Sequence, residues 1–174
     1  ARTDVAVVQR AVGAATGAHL HDLAWGRDPR PVDPVRQEKS VGAETTLERD
    51  TADPGELEAH LLRLADRCAV QLRARGHVCR TVSLKLRTED FRTVTRSRTL
   101  PVPTDVGREI YRVARELLGA AHTPGHRVRL VGVGAEGLGA AGDQPLTLEE
   151  AVDDAPAAQR RAEAAMDAVR ARFG

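Results

Sequence analysis

At 174 residues the chain has room for one ordinary domain plus appendages. It is 41% apolar but only 2% aromatic, so its core must be built from Val, Leu and Ala. The formal net charge of +1 excludes a uniformly basic protein, and no apolar run approaches the roughly 18 residues of a membrane span.

The charge is unevenly placed. From Arg75 to Thr99, seven Arg and Lys stand against two acids; from Glu44 to Asp66, two arginines face seven acids. Such asymmetry points to one anion-binding surface. Lys39 and Lys85 are the only lysines, an arginine bias that a GC-rich genome explains. Cys68 and Cys79 have no metal-ligand spacing and read as buried free thiols. The chain reads as soluble, cytoplasmic and monomeric. Ala1 is not a natural start, so a longer N-terminus is expected.

In chain order, residues 1–30 form a helical zone. Thr3 is expected to cap a helix carrying Val5, Val8 and Val12, which Gly13 stops. A second short helix carries Leu20, Leu23, Ala24 and Trp25 and ends at Gly26. Pro29, Pro31 and Pro34 then interrupt regular structure, and residues 31–38 read as an extended linker.

Residues 39–138 read as an α/β unit. Val41, Ala43, Thr45 and Leu47 alternate with polar residues, as in a half-buried strand. Asp53 caps a helix with Pro54 at its first position and Glu56 three residues after the cap. Leu57, Leu61, Leu64, Cys68 and Leu72 are its apolar stripe, and Gly76 ends it. A second strand places Val82, Leu84 and Leu86 on one face and Thr81, Ser83, Lys85 and Arg87 on the other. A third is predicted over 92–100, ended by Pro101 and Pro103. A helix capped by Thr104 starts near Asp105, with Ile110, Val113, Ala114 and Leu117 inward. A last strand runs from Arg127 to about Val133.

The order is β-α-β-β-α-β, which predicts an α+β fold. Two amphipathic helices cover one face of a four-stranded antiparallel sheet, and the other face meets water or a partner. Residues 139–174 read as a flexible tail of net charge −3 from Asp143 onward, with a helix over 159–173.

The sharpest local feature is the run from Thr93 to Thr99, where small hydroxyls alternate with arginines on a predicted strand. Hydroxyls, main-chain N–H groups and guanidinium forks suit phosphate oxygens. Lys85 and Arg87 lie on the uncovered face of the neighbouring strand. Lys39, Ser40 and Gly42 open the first strand, and the glycine lets a nucleic-acid backbone approach. Arg127 and Arg129 begin the last. Val94 shares parity with Arg92, Arg96 and Arg98, so alternation leaves open which set faces the helices. Scarce rings favour gripping a duplex over stacking single-stranded bases, and argue against an RNA-binding sheet.

No catalytic site emerges. Nucleotidyl transfer needs clustered carboxylates for two metal ions. The acids here sit at helix starts, on polar strand positions or in the tail. The six histidines show no metal-ligand pairing. No helix opens after Gly132, Gly134 and Gly137, so they form no nucleotide fingerprint.

Several stretches resemble one family. Ala24–Val32 is similar to the end of the thumb of DinB-type Y-family DNA polymerases, the DNA polymerase IV branch. Glu38–Thr46 resembles the start of their little finger. Thr81–Arg87, Asp90-Phe91 and Thr95–Leu100 resemble its central strands, and Arg129–Val133 its last strand. The match is collinear over residues 1–138. It implies a little finger that contacts template and primer backbones largely without reading sequence. Lys39, Ser40, Gly42, Lys85, Arg87, Thr95, Arg96, Ser97 and Arg98 are the phosphate-contact residues it implies, with Arg127 and Arg129 added from the strand reading. It also implies a magnesium-dependent translesion polymerase as the parent, with the metal-binding carboxylates before Ala1, so that this piece is inactive alone. Members often end in a sliding-clamp-binding peptide. Here Gln144, Leu146 and Leu148 stand in that place, with Pro145 where leucine is usual, and a plain linker is the alternative. Arg170–Gly174 resembles the tails of actinobacterial members.

Overall fold

The computed structural model describes residues 2–31, 38–141 and 155–173. The chain divides into two units, Ala1–Gln37 and Glu38–Gly174. The linker predicted over 31–38 and the Gln144, Leu146 and Leu148 peptide lie almost wholly, or wholly, outside the described residues.

The first unit holds α1 (Val5–Val12) and α2 (Ala14–Ala24). Asp4, not Thr3, caps α1: its carboxylate accepts from the Ala6 amide at 2.7 Å. Gly13 separates the two helices with a φ of 92°, a left-handed conformation that glycine adopts cheaply. Gly17 is buried, and a side chain there would meet the Gln9 backbone at 2.5 Å.

The second unit runs β1 (Ser40–Thr51), α3 (Pro54–Ala74), β2 (His77–Thr88), β3 (Thr93–Thr104), α4 (Gly107–Ala121), β4 (Val128–Ala140) and α5 (Ala155–Phe173). The four strands form one antiparallel sheet in the order β1-β4-β2-β3. Helices α3 and α4 pack on one face of it. The α3 stripe Leu57, Leu61, Leu64, Cys68 and Leu72 is buried, as are Ile110, Val113, Ala114 and Leu117 of α4. They meet Val41, Ala43 and Leu47 of β1, Val82, Leu84 and Leu86 of β2, and Val131, Val133 and Ala135 of β4. This aliphatic core is where the low aromatic content ends up. Asp53 caps α3 as the sequence predicts, accepting from the Gly55 amide at 2.9 Å.

Several boundaries differ from the sequence reading; helix α5, for one, starts at Ala155 and not at residue 159. Strand β3 continues through Pro101 and Pro103 to Thr104. It is an edge strand, where a residue without N–H costs no ladder bond on the outer side. Strand β4 does not stop at Val133 but runs to Ala140, carrying Gly132, Gly134, Gly137 and Gly139 inside it. Over residues 128–136 pairing on both sides, to β1 and to β2, holds the strand extended; beyond Gly137, whose φ is 62°, β4 pairs with β2 alone. Helix α4 begins at Gly107, and Thr104 does not cap it; its hydroxyl accepts from the Val106 amide at 3.1 Å. The Gly107 amide instead donates to Glu163 of α5 at 2.8 Å.

Candidate nucleic-acid interface

Residues directly opposite one another in an antiparallel sheet share a face. On the face away from the helices, four rows therefore cross the sheet from β1 to β3. They are Ser40–Glu136–Thr81–Thr99, Gly42–Gly134–Ser83–Ser97, Glu44–Gly132–Lys85–Thr95 and Thr46–Leu130–Arg87–Thr93.

The second row has no side chain larger than serine. Together with Gly132 it makes a shallow floor across the middle of the sheet. The floor is tightly built: a Cβ on Gly134 would lie 2.3 Å from the Ser83 hydroxyl, and one on Gly132 3.0 Å from the Glu44 Cβ. Ser83 is buried within it and donates to Glu136 at 2.7 Å. Taller side chains stand beside the floor. The Lys85 ammonium donates to Glu44 at 2.8 Å, and Arg87 donates to the Thr93 hydroxyl at 3.1 Å.

Arg96 and Arg98 lie on the other parity. They continue the rows Ala43–Val133–Leu84 and Val41–Ala135–Val82, which face the helices. Both are nevertheless exposed, because β3 is the sheet edge and α4, which reaches it, buries only Leu100 of the strand. Arg98 pairs with Glu116 of α4, whose carboxyl the guanidinium holds below its usual value. Arg96 donates to the Thr95 carbonyl at 2.9 Å and has no acidic partner among the described residues. The alternating run is thus split: Thr95, Ser97 and Thr99 look onto the open face, Arg96 and Arg98 onto the helical side of the same edge. Among the described residues the outer row of β3 backbone groups has no neighbouring strand.

Lys39 is exposed just ahead of β1, and Ser40 and Gly42 are exposed on it. Arg127 and Arg129 converge at the far end of the sheet. Arg127 donates to the Asp50 carbonyl at 2.9 Å, and Arg129 pairs with the Asp50 carboxylate at 2.8 Å. The hydrogen bond from Arg129 holds the Asp50 carboxyl below its usual value. Arg129 also stacks on Phe91, 4.6 Å from the ring centre. Phe91 is exposed in the β2–β3 turn with a φ of 62°.

The structure thus brings Gly42, Lys85, Arg87, Thr95 and Ser97 onto one face with Ser40. It sets Arg96 and Arg98 around the edge, and Arg127 and Arg129 at one end. Sequence reasoning missed the partners Glu44 and Glu136 and the floor glycines Gly132 and Gly134. The signal was present in the even spacing of these glycines with Glu136. No group of three or more His, Cys, Asp or Glu that could hold a metal occurs among the described residues. No helix among them is long and apolar enough to cross a membrane.

A four-stranded antiparallel sheet with one helix-covered face and one bare, glycine-floored face defines a small α+β module with one sheet surface left free for a partner. Residues 38–148 match the model of the impB/mucB/samB family C-terminal domain, and the chain belongs to that family. Similar curated proteins are DNA polymerase IV of Caulobacter vibrioides, 38% identical over the whole chain and 42% of that protein, and DNA polymerase IV of Streptomyces coelicolor, 45% identical over 74% of this chain and 27% of that protein. A solved Y-family DNA polymerase chimera superposes with a TM-score of 0.54 at 18% identity, over 78% of this chain and 38% of that one. Dbh DNA polymerase in a post-insertion binary complex gives 0.51 at 18% identity, over 78% and 39%. The second unit therefore has the little-finger fold of Y-family polymerases. The chain spans less than half the length of the curated relatives quoted.

Proposed function

We propose that the chain grips primer–template DNA through the open sheet face and the β3 edge, by charge and main-chain donors and without reading sequence. The observation that carries this reading is the row Gly42–Gly134–Ser83–Ser97, a floor free of bulk and of rings. A sugar–phosphate rail can approach such a floor closely, with Lys85, Arg87 and Thr95 beside it. Lys39 and Arg96, without acidic partners among the described residues, add charge at opposite edges of the sheet.

The whole protein would be an error-prone translesion DNA polymerase, and this chain its holding part. The magnesium implied by the family has no seat among the described residues. In this reading polymerisation would be carried by the rest of the protein, with this chain inactive alone.

Fluorescence anisotropy with duplex DNA at several salt concentrations tests the grip. Each neutralised phosphate contributes a slope of about −0.9 in log affinity against log salt. Replacing Arg87 and Arg96 together by Ala should flatten the slope by about one unit for each phosphate left unneutralised. An unchanged slope removes those residues from the interface.

A second role rests on Gln144, Leu146 and Leu148, which would present a peptide to the apolar groove of a sliding clamp. Clamp capture undiminished by Gln144→Ala with Leu146→Ala would end that reading.

A further inference from the structure

Helix α5 is held to the helical layer by charge. From residue 157 to 173 no residue is buried, and the positions shielded by the domain are Gln159, Arg160, Glu163 and Asp167, all polar. The apolar residues Met166, Val169 and Phe173 point outward, 54, 57 and 76% exposed. An ordinary surface helix does the reverse, burying its apolar stripe.

The seat beneath it is built. Arg73, in the last turn of α3, has a side chain only 8% exposed. Its Nη1 donates to Glu163 at 2.6 Å and to the Asp105 carbonyl at 2.7 Å, and its Nε to Asp167 at 2.7 Å. Its Nη2 is buried without a hydrogen-bond partner. Glu163 also accepts from the Gly107 amide at 2.8 Å and the Arg108 amide at 3.4 Å, in the first turn of α4, which has no side-chain cap of its own. Two flanking pairs complete the register: Arg160 with buried Asp105, and Arg170 with Asp66, each at 2.8 Å. A buried cation with a spare donor and a set of helix-terminal amides thus converge on one carboxylate.

We propose that this seat is a docking site for a helix bearing two carboxylates one turn apart, that α5 occupies it reversibly, and that rising ionic strength releases it. The reason lies in what holds the helix. Apolar burial would keep α5 in place at any salt concentration, whereas the wet flanking groups, Arg170 and Asp66 with side chains 52 and 44% exposed and Arg160 at 43%, are screened as salt rises and leave the shielded Arg73 pairs to hold the helix alone. The site is also selective. Arg73 is shielded enough that a helix without both carboxylates would leave its charge uncompensated, which disfavours any such occupant. Arginines three residues before the first carboxylate and three after the second, Arg160 and Arg170, set the direction of the helix along α3.

Hydrogen exchange read by mass spectrometry on the full chain tests the latch. Between about 50 mM and about 500 mM NaCl the Debye length falls from roughly 14 to 4 Å. Over that range the amides of α5 and of Gly107 and Arg108 should speed up together, by roughly tenfold or more, while β2 and β4 stay protected. If α5 exchanges only together with β2 and β4 at every salt concentration, the proposal fails. A second arm uses the isosteric variant Glu163→Gln with Asp167→Asn, whose α5 should be released at low salt. A synthetic peptide of residues 155–173 added in trans should restore protection at Gly107 and Arg108, and the peptide carrying both substitutions should not. Equal protection by the two peptides, or by neither, overturns the docking site. Should the variant not fold, the salt arm on the unmodified chain decides.

Discussion

The Lys85 ammonium holds the Glu44 carboxylate at 2.8 Å across Gly132, on the open face of the sheet. Both side chains are partly exposed, so the pair contributes little to stability. It does set how much positive charge the face offers: in the proposed grip, a phosphate at Lys85 would compete with Glu44 for the ammonium.

Removing that competitor should therefore tighten binding. Glu44→Gln is expected to raise duplex affinity several-fold at low salt and to steepen the salt slope by about one unit. Lys85→Ala should weaken binding by a similar factor. Anisotropy titrations of both variants check this; equal affinities in the two would place Lys85 outside the interface.

The floor should be intolerant of a single methyl group. Gly134→Ala would drive a Cβ to within 2.3 Å of the Ser83 hydroxyl and should cost about 1–3 kcal/mol of stability. Adding Ser83→Ala removes that oxygen and leaves the Ser83 Cβ at 3.7 Å, ordinary van der Waals distance. The double variant should recover most of the deficit in thermal unfolding. Failure to recover would mean that the clash is not what excludes side chains there.

The two edge arginines should behave differently. Arg98 is already engaged by Glu116, while Arg96 has no acidic partner among the described residues. Arg96→Ala should reduce the salt slope of DNA binding by about one unit, and Arg98→Ala by less. The variant Glu116→Gln should raise the share carried by Arg98. Identical slopes for the two single variants would show that the Glu116 pair does not withhold charge.

The buried thiols define the alkaline limit. Burial pushes Cys68 up to about 11 and Cys79 up to about 12. The folded state therefore keeps both protonated in a range where the unfolded chain, with ordinary thiols near 9, has released its protons. The folded form binds more protons there, so stability is full below about pH 9 and falls as pH rises toward 12. Cys68→Ala should flatten this limb, as measured by denaturant unfolding between pH 8 and pH 11 at roughly half-unit steps. Neither thiol should be alkylated in the native protein at pH 8, where both are buried and protonated.

How legible the fold is in the sequence differs from element to element. Strands β1 and β2 and helices α3 and α4 each bury one face, so their apolar residues recur at the period of the backbone. The stripe from Leu57 to Leu72 and the alternation from Val82 to Leu86 can be read directly. Strand β3 has both sides exposed over most of its length, so polar residues occupy both parities and alternation carries no facing information. That is why the sequence names Arg96 and Arg98 as DNA-binding candidates but does not place them on a face.

Local chemistry by itself determined the aliphatic core, the α3 cap at Asp53 and the concentration of positive charge between residues 75 and 99, because each depends on neighbours in the chain. Tertiary structure alone decided the rest. Pairing on both flanks makes the stretch with Gly132 and Gly134 a strand and a floor, and Glu163, 56 residues downstream, caps α4 at Gly107. These interactions join groups remote in sequence, where short-range periodicity has nothing to report.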